Sequence, residues 1–240
     1  MENFKPKSEV LAIVPARGGS KGIKRKNLIP FNGIPLLASS IEHALNSKLV
    51  TRVIVSTDDL EIREAALKYG AEVPFLRPAE LAEDHVLDLP VFEHALQFLE
   101  KQGYRPEAVV HLRPTAPHRE LGLIDAAISL LLDNPDADSV RSVSVPDKHP
   151  YRMFTIDGDG FLSAIMKHEH PVPYLLRRQD LPPVYYYNCV IDVTRPDVIY
   201  KKQSMTGDAI FPFIMKPEDV IDIDTNRDLE IARYLFERKL

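Results

Sequence analysis

The sequence predicts an α/β fold, a three-layer sandwich around a mostly parallel sheet. Three observations carry this. Short apolar runs alternate with segments of helical period, the arrangement of βαβ units. Prolines stand just beyond many of these runs, at Pro15, Pro74 and Pro114, and mark sharp exits from strands into loops. The first run opens into a loop rich in glycine and basic residues, where such sheets place their ligands, beyond the carboxyl ends of strands. A chain of 240 residues is long enough for one such domain, or for one domain with a small appendage. Right-handed crossovers then cover both faces of the sheet.

The elements follow in order. Residues 10–14 are a continuous apolar strand, and 36–45 form a helix with Ile34 and Pro35 at its start. A strand at 52–56 precedes a helix at 60–69, where Ile62, Ala65, Ala66 and Tyr69 recur at helical spacing and Gly70 suits the C′ position. A short strand is expected at 72–76. The helix at 89–99 carries Phe92, Ala95, Leu96 and Leu99 on one stripe. Residues 108–112 form a strand, 121–132 a helix and 138–143 a strand. The pattern changes after Pro146. Runs at 151–156 and 161–166 flank the tetrapeptide DGDG and predict a hairpin. Residues 168–183 have weak local structure, and a strand resumes over 184–193. Regular alternation returns at 209–215, and 229–236 close the chain as a helix. One domain over 1–240 is expected, with an inserted lobe at 146–193.

Composition narrows the function. The net charge of −5 supplies no broad basic surface for a nucleic-acid polymer. Cys189 is the only cysteine, which excludes an intrachain disulfide and a multi-thiolate zinc site and agrees with a reducing compartment. The first ten residues lack the apolar run of a signal peptide, and no stretch approaches the length of a membrane span. A cytoplasmic location without a membrane partner is expected. Histidines 111, 118, 149, 168 and 170 show no ligand spacing.

Within the opening loop, Gly18, Gly19 and Gly22 leave backbone N–H groups open to a ligand, and Arg17, Lys21, Lys24, Arg25 and Lys26 add positive charge. This suits a triphosphate. It is neither a P-loop, since Ile23 follows Gly22, nor a dinucleotide fingerprint. Near the end, Asp222 and Asp224 flank Ile223. If extended, the segment turns both carboxylates to one side and Ile221 and Ile223 to the core. Two such carboxylates suit Mg²⁺, the companion of a triphosphate. Thr225 with Asp228 is placed to cap the closing helix.

The chain resembles the N-acylneuraminate cytidylyltransferases, or CMP-sialic acid synthetases, together with relatives handling other nonulosonic acids. The likeness rests on ARGGSKGIKRKN at 16–27, VSTDD at 55–59, LRPAELAED at 76–84, RPTAPHR at 113–119 and DIDTNRDLEIA at 222–232, in that order. It implies a Rossmann-like nucleotidyltransferase fold, a homodimer formed through the middle lobe, and transfer of CMP from CTP to the anomeric hydroxyl of a 2-keto-3-deoxy sugar acid. It further implies that Ala16, Arg17, Gly18, Ser20, Lys21, Lys26, Asn27, Arg77 and Asp88 bind nucleotide. Arg17, Lys21, Asp222 and Asp224 would act in catalysis, with Mg²⁺ on the two aspartates.

Several positions depart from the family pattern. Arg113 stands where glutamine is common, near the acceptor; it either pairs with a carboxylate, rejects an N-acyl group that the glutamine tolerates, or makes a salt bridge within its loop. Asp88 replaces a small hydroxyl residue near the base, where it accepts from the cytosine amino group, accepts from guanine, or caps a helix. Asn188 is followed by Cys189 where glycine is expected. Tyr186 is expected to line a sugar pocket, and Tyr185 and Tyr187 either join it or alternate onto a packed face. Arg178 matches an Arg-Gln element and Arg152 is a looser match; both are candidate groups for an acidic acceptor, with Arg113, Tyr186 and Asn188. A nucleotidyltransferase using GTP, another sugar or a sugar phosphate, and a non-catalytic nucleotide-binding protein, remain the alternatives.

Overall fold

The computed structural model describes residues 8–237. The reading of residues 1–10 as lacking a leader falls mostly outside that range. Strand β1 (Val10–Pro15) is apolar and buried up to its terminal proline. Two short strands, β2 (Pro30–Phe31) and β3 (Ile34–Pro35), pair as a small ribbon ahead of α1 (Leu36–Leu45). Next come β4 (Arg52–Ser56) and α2 (Leu60–Lys68), whose first turn is capped by the Asp59 carboxylate accepting from the Ile62 N–H at 3.0 Å. Helix α3 (Asp88–Glu100), β5 (Ala108–His111), α4 (Leu123–Leu132) and β6 (Ser139–Ser144) follow the sequence reading closely. The expected strand at 72–76 shrinks to a single bridge between Glu72 and Ile54.

Beyond β6 the chain leaves the sheet. It forms the hairpin β7 (Phe154–Ile156) and β8 (Leu162–Ala164), then two single-turn 3-10 helices, and re-enters as β9 (Tyr186–Thr194). Helix α5 (Pro196–Lys202), β10 (Ile210–Ile214) and α6 (Asn226–Glu237) complete the order.

The main sheet has six strands in the order β10-β6-β9-β5-β1-β4. β1 is parallel to β4 and β5, and β10 is parallel to β6, whereas β9 is antiparallel to both neighbours. The mostly parallel sheet therefore holds, with one exception. The exception has a mechanical cause. The excursion begins at the carboxyl end of β6 and ends near the same edge, so the returning strand must run backwards. It also moves the end of the expected lobe, because residues 186–193 belong to a central strand of the sheet and the excursion stops before Tyr186. The lobe consequently rises from the same edge as the loop after β1.

Side chains alternate across the sheet. Ala12, Val14, Val53, Val55 and Val110 pack with residues of α1, α2 and α4 on one face. Leu11, Ile13, Ile54 and Val109 meet α3 and Ile199 of α5 on the other. A third cluster lies at the carboxyl edge, where Ile23 and Phe31 from the opening loop pack with Leu36, Ile221, Ile223, Leu229 and Ala232. This cluster joins the two ends of the chain. Among the described residues, no helix is long and apolar enough to cross a membrane.

Candidate active site

The loop after β1 is held by hydrogen bonds and close backbone contacts. The Ala16 N–H donates to the Ser56 carbonyl of β4 at 2.9 Å. The Gly18 N–H donates to Asp58 Oδ1 at 2.9 Å, and a Cβ on Gly18 would lie 2.7 Å from Asp59 Oδ2. Buried Asn27 donates through Nδ2 to the Arg17 carbonyl at 2.9 Å, which fixes the backbone that carries Arg17. Arg25 takes a left-handed conformation (φ 57°) and pairs with Asp59 at 2.6 Å and with Glu61, so it clamps the loop to α2. Arg17 donates to the Ala82 carbonyl at 3.1 Å and pairs with Asp84 at 2.8 Å; Lys21 pairs with the same carboxylate. These two cations hold the Asp84 carboxyl below the usual carboxylate range, the Lys21 hydrogen bond contributing most.

The late segment meets this loop through Asp224, and Asp222 is not among the residues lining the cavity that the two share. Residues 221–224 belong to no strand but alternate buried and exposed, and they are tied to the loop after β5 by the Ile223 N–H, which donates to the Thr115 carbonyl at 2.8 Å. Ile221 and Ile223 are buried, and Asp222 and Asp224 are exposed on the opposite side. A Cβ on Gly22 would lie 2.4 Å from the Asp224 carbonyl oxygen, so the two segments touch backbone to backbone only because residue 22 has no side chain. Lys26 Nζ donates to Asp224 Oδ1 at 2.9 Å. Partial burial raises the Asp222 carboxyl above its ordinary range; the Asp224 charge adds to this, while Thr115, Lys26 and Arg113 oppose it. The chain then turns into α6 through a reciprocal cap. Asp228 accepts from the Thr225 N–H and hydroxyl, both at 2.8 Å, and the Asp228 N–H donates back to Thr225 Oγ1 at 3.2 Å.

Both segments border one cavity of about 480 Å³, whose lining includes Arg17, Lys21, Arg77, Asp88, Arg113 and Asp224. Ser20, Gly22, Lys26 and Asn27 line it as well. Arg77 is buried and bound to Ser56 through Oγ at 3.1 Å and the carbonyl at 2.6 Å. Burial lowers its guanidinium to about 10. Asp88 begins α3 without capping it; Arg113 Nη2 donates to its Oδ2 at 2.9 Å.

The far wall comes from sheet register. His111 of β5 pairs with Asp192 of β9, which pairs with Arg141 of β6, setting the three in one row across the sheet. Asp192, 2% exposed, accepts from Arg113 Nη1 at 2.9 Å, from Arg141 Nε at 3.2 Å and from the Tyr187 hydroxyl. The Arg141 guanidinium lies 4.0 Å from the centre of the Tyr187 ring. Burial pulls the Arg113 guanidinium down, but Tyr187, Asp192 and Asp88 together hold it above its ordinary value. Arg119, fully enclosed, braces this wall from behind. It donates to the Val190 carbonyl, Ser40 Oγ and the Arg113 carbonyl at 2.9, 3.1 and 3.0 Å.

The acceptor candidates divide. Arg113 lines the cavity. Tyr186 lies at the same edge, 40% exposed, with its hydroxyl raised by burial and by the charges of Asp147 and Asp222. Arg152 and Arg178 are on the lobe and donate to lobe carbonyls, Leu176 at 2.6 Å and Pro146 at 3.2 Å, without lining the cavity. Asn188 is buried, donates to Ser144 Oγ at 2.9 Å and accepts from the Val190 N–H at 3.2 Å. It supports an irregularity in β9 at which Cys189 adopts φ 62°, and it does not reach the cavity.

The chain matches the model of the cytidylyltransferase family over residues 11–206. It belongs to that family. A pseudaminic acid cytidylyltransferase of Campylobacter jejuni is 34% identical over 95% of this chain and 96% of its own length. A CMP-N,N′-diacetyllegionaminic acid synthase of the same species is 31% identical over 97% of both chains. A solved CMP:2-keto-3-deoxy-manno-octonic acid synthetase complexed with CTP has the same fold, with a TM-score of 0.71 at 18% identity, over 97% of this chain and 100% of that one. For a cytidylyltransferase, the choice of CTP left open at Asp88 falls to CTP.

The structure adds site residues that sequence reasoning missed. Asp84 lies within a motif that was recognised, but its pairing with Arg17 and Lys21 was not legible there. Arg119 closes the recognised segment 113–119, but its bracing of Val190 and Arg113 was not legible there; Asp192 and Arg141 carried no local signal, since their row depends on the reversed direction of β9. His111, which shows no ligand spacing in the sequence, is 2% exposed and borders the cavity.

Proposed function

We propose that this cytidylyltransferase transfers CMP from CTP to the anomeric hydroxyl of a nonulosonic acid, releasing pyrophosphate. One observation carries the reading: a single cavity is bordered by Arg17 and Lys21, by Asp224, and by Arg113. Cations for a phosphate chain, a carboxylate for its metal and a guanidinium for an acid converge there. The relatives named for pseudaminic and legionaminic acids make pseudaminic acid the first acceptor to test.

In-line attack on the α-phosphorus forms the sugar O–P bond and breaks the bond to the β-phosphate, so positioning and charge neutralisation dominate. The glycine loop offers backbone N–H groups to the phosphate chain. Arg17 and Lys21 exchange Asp84 for the β- and γ-phosphates and stabilise the departing pyrophosphate. Asp222 and Asp224 would hold Mg²⁺. The fit is chemical, because two hard oxygen donors that repel one another favour a cation and leave positions for phosphate oxygens and water. Among the described residues no group of three or more His, Cys, Asp or Glu is placed to hold a metal ion, so the two aspartates would hold it together with the phosphate chain. When bound, the ion supplies Lewis-acid charge neutralisation at the α-phosphate. Asp88 accepts from the cytosine amino group beside Arg77. Arg113 takes the acceptor carboxylate, Tyr186 borders the sugar, and Arg152 and Arg178 approach from the lobe.

The lobe exposes Ile156, Phe161, Leu162 and Leu175, each more than two-thirds exposed, a patch suited to a second copy of the chain in a cytoplasmic homodimer. The solution mass tests this, and a monomer at micromolar concentration would refute it. The activity is tested by pyrophosphate release from the four nucleoside triphosphates, each offered with nonulosonic acids and sugar phosphates. Release is expected with CTP, Mg²⁺ and a nonulosonic acid together. Release only with GTP or a phosphorylated sugar, or none with any acid, would overturn the reading.

A further inference from the structure

One guanidinium in the cavity wall holds two carboxylates that differ in standing. Arg113 donates from Nη1 to Asp192 and from Nη2 to Asp88, both at 2.9 Å. The Asp192 side chain is 2% exposed and also accepts from Arg141 and Tyr187, so its position is fixed by the sheet. The Asp88 side chain is 43% exposed, makes no cap with its own helix and faces the cavity. The Asp192 bond is an anchor and the Asp88 bond is exchangeable.

Charge forbids simple addition. Arg113 is already flanked by two anions, and a third carboxylate beside them would be repelled unless one withdrew. Next to the pair sits an unsatisfied group. His111 is buried with neither ring nitrogen hydrogen-bonded, and its Nδ1 is 3.9 Å from Asp88 Oδ2 and 4.0 Å from Asp192 Oδ2, beyond hydrogen-bonding distance.

We propose that Asp88 is a built-in placeholder for the acceptor's carboxylate. The incoming acid takes the place of Asp88 on Arg113 Nη2, Asp192 keeps the guanidinium in position, and the released Asp88 turns to the amino group of the base. The inference rests on the reading of Arg113 as the carboxylate receptor. The exchange swaps one anion for another and therefore selects acids over neutral sugars of the same shape. It also links the two subsites, because a base that engages Asp88 leaves Arg113 open to the acid.

Calorimetric binding of pseudaminic acid, without nucleotide and with a CTP analogue bearing a methylene bridge between the α- and β-phosphorus, tests this on the full chain. In Asp88→Asn the placeholder loses its charge and keeps its shape. Acid binding without nucleotide should tighten by about fivefold, the scale of a partly exposed ion pair. The gain in acid affinity that the analogue confers on the wild type should shrink. The neutral amide of the acid should bind both proteins alike. Unchanged or weaker acid binding in Asp88→Asn overturns the placeholder, as does an absence of acid binding in both proteins. Arg113→Gln separates the parent reading. It should lose acid binding while retaining the CTP analogue, and wild-type acid affinity in that variant would remove Arg113 as receptor, whatever Asp88→Asn shows.

Discussion

Replacing Gly22 by alanine tests the meeting of the two chain ends directly. The new Cβ would lie 2.4 Å from the Asp224 carbonyl oxygen, where ordinary contact begins at 3.4 Å, so the segments must part by about 1 Å. The obstacle is backbone and has no rotamer by which to yield. Ile221 and Ile223 lock that backbone into the cluster with Ile23 and Phe31, so separation also loosens packing. Overpacking of this kind costs roughly 1–3 kcal/mol. The functional loss should be larger, because a shift of about 1 Å between reacting groups lowers turnover by ~10²-fold. The expected result is a kcat/KM for CTP reduced about 10²-fold in pyrophosphate release, with only a modest fall in the unfolding temperature. Gly158→Ala is the control, since a Cβ there meets nothing within 4 Å. If Gly22→Ala kept kcat/KM within about twofold of wild type and unfolded at the same temperature, far less than a displacement of this size predicts, the loop and Asp224 would not meet in the working enzyme.

Further outcomes follow from the same geometry. Asp222→Asn should lower turnover by ~10²-fold or more and abolish the rise in unfolding temperature that CTP with Mg²⁺ gives the wild type. Folding raises the Asp222 carboxyl above its unfolded value, so its ionisation costs stability as pH rises through that range. Without ligands at pH 7 the asparagine variant should therefore unfold no lower than wild type; a markedly lower temperature would contradict this. Arg119→Met removes three buried hydrogen bonds, to the Val190 carbonyl, to Ser40 Oγ and to the Arg113 carbonyl, a loss of roughly 3 kcal/mol, or about 6–12 °C in unfolding temperature. Burial lowers His43 to about 4, so the stability it contributes is complete above its unfolded value near 6.5 and is lost as pH falls through about 4. Unfolding temperatures measured between pH 7 and pH 4 should fall less steeply in His43→Leu than in wild type, and parallel curves would exclude His43 as the cause.

The alternation of apolar runs and helical stripes was enough to place α1 at its observed bounds, and α2, α3 and β5 to within about two residues, the usual uncertainty of helix and strand ends, because burial of one face dictates period locally. The same holds for residues 221–224, where polar and apolar residues alternate as an extended segment requires. Helix α5 was legible but not read: Pro196 opens it, Asp197 sits in its first turn, and Lys201 and Lys202 in its last. The direction of β9 was not legible. Its residues suit a strand of either sense, and only the return of the lobe to the edge it left settles the matter. That return sets Asp192 beside His111 and Arg141, and it gives Arg113 a buried partner in addition to the part-exposed Asp88. The sequence alone thus determined which segments carry charge toward the carboxyl edge, since local pattern and loop composition are properties of neighbouring residues. Which charges face one another was decided by tertiary structure, because register between strands far apart in the chain is set by the whole packed sheet.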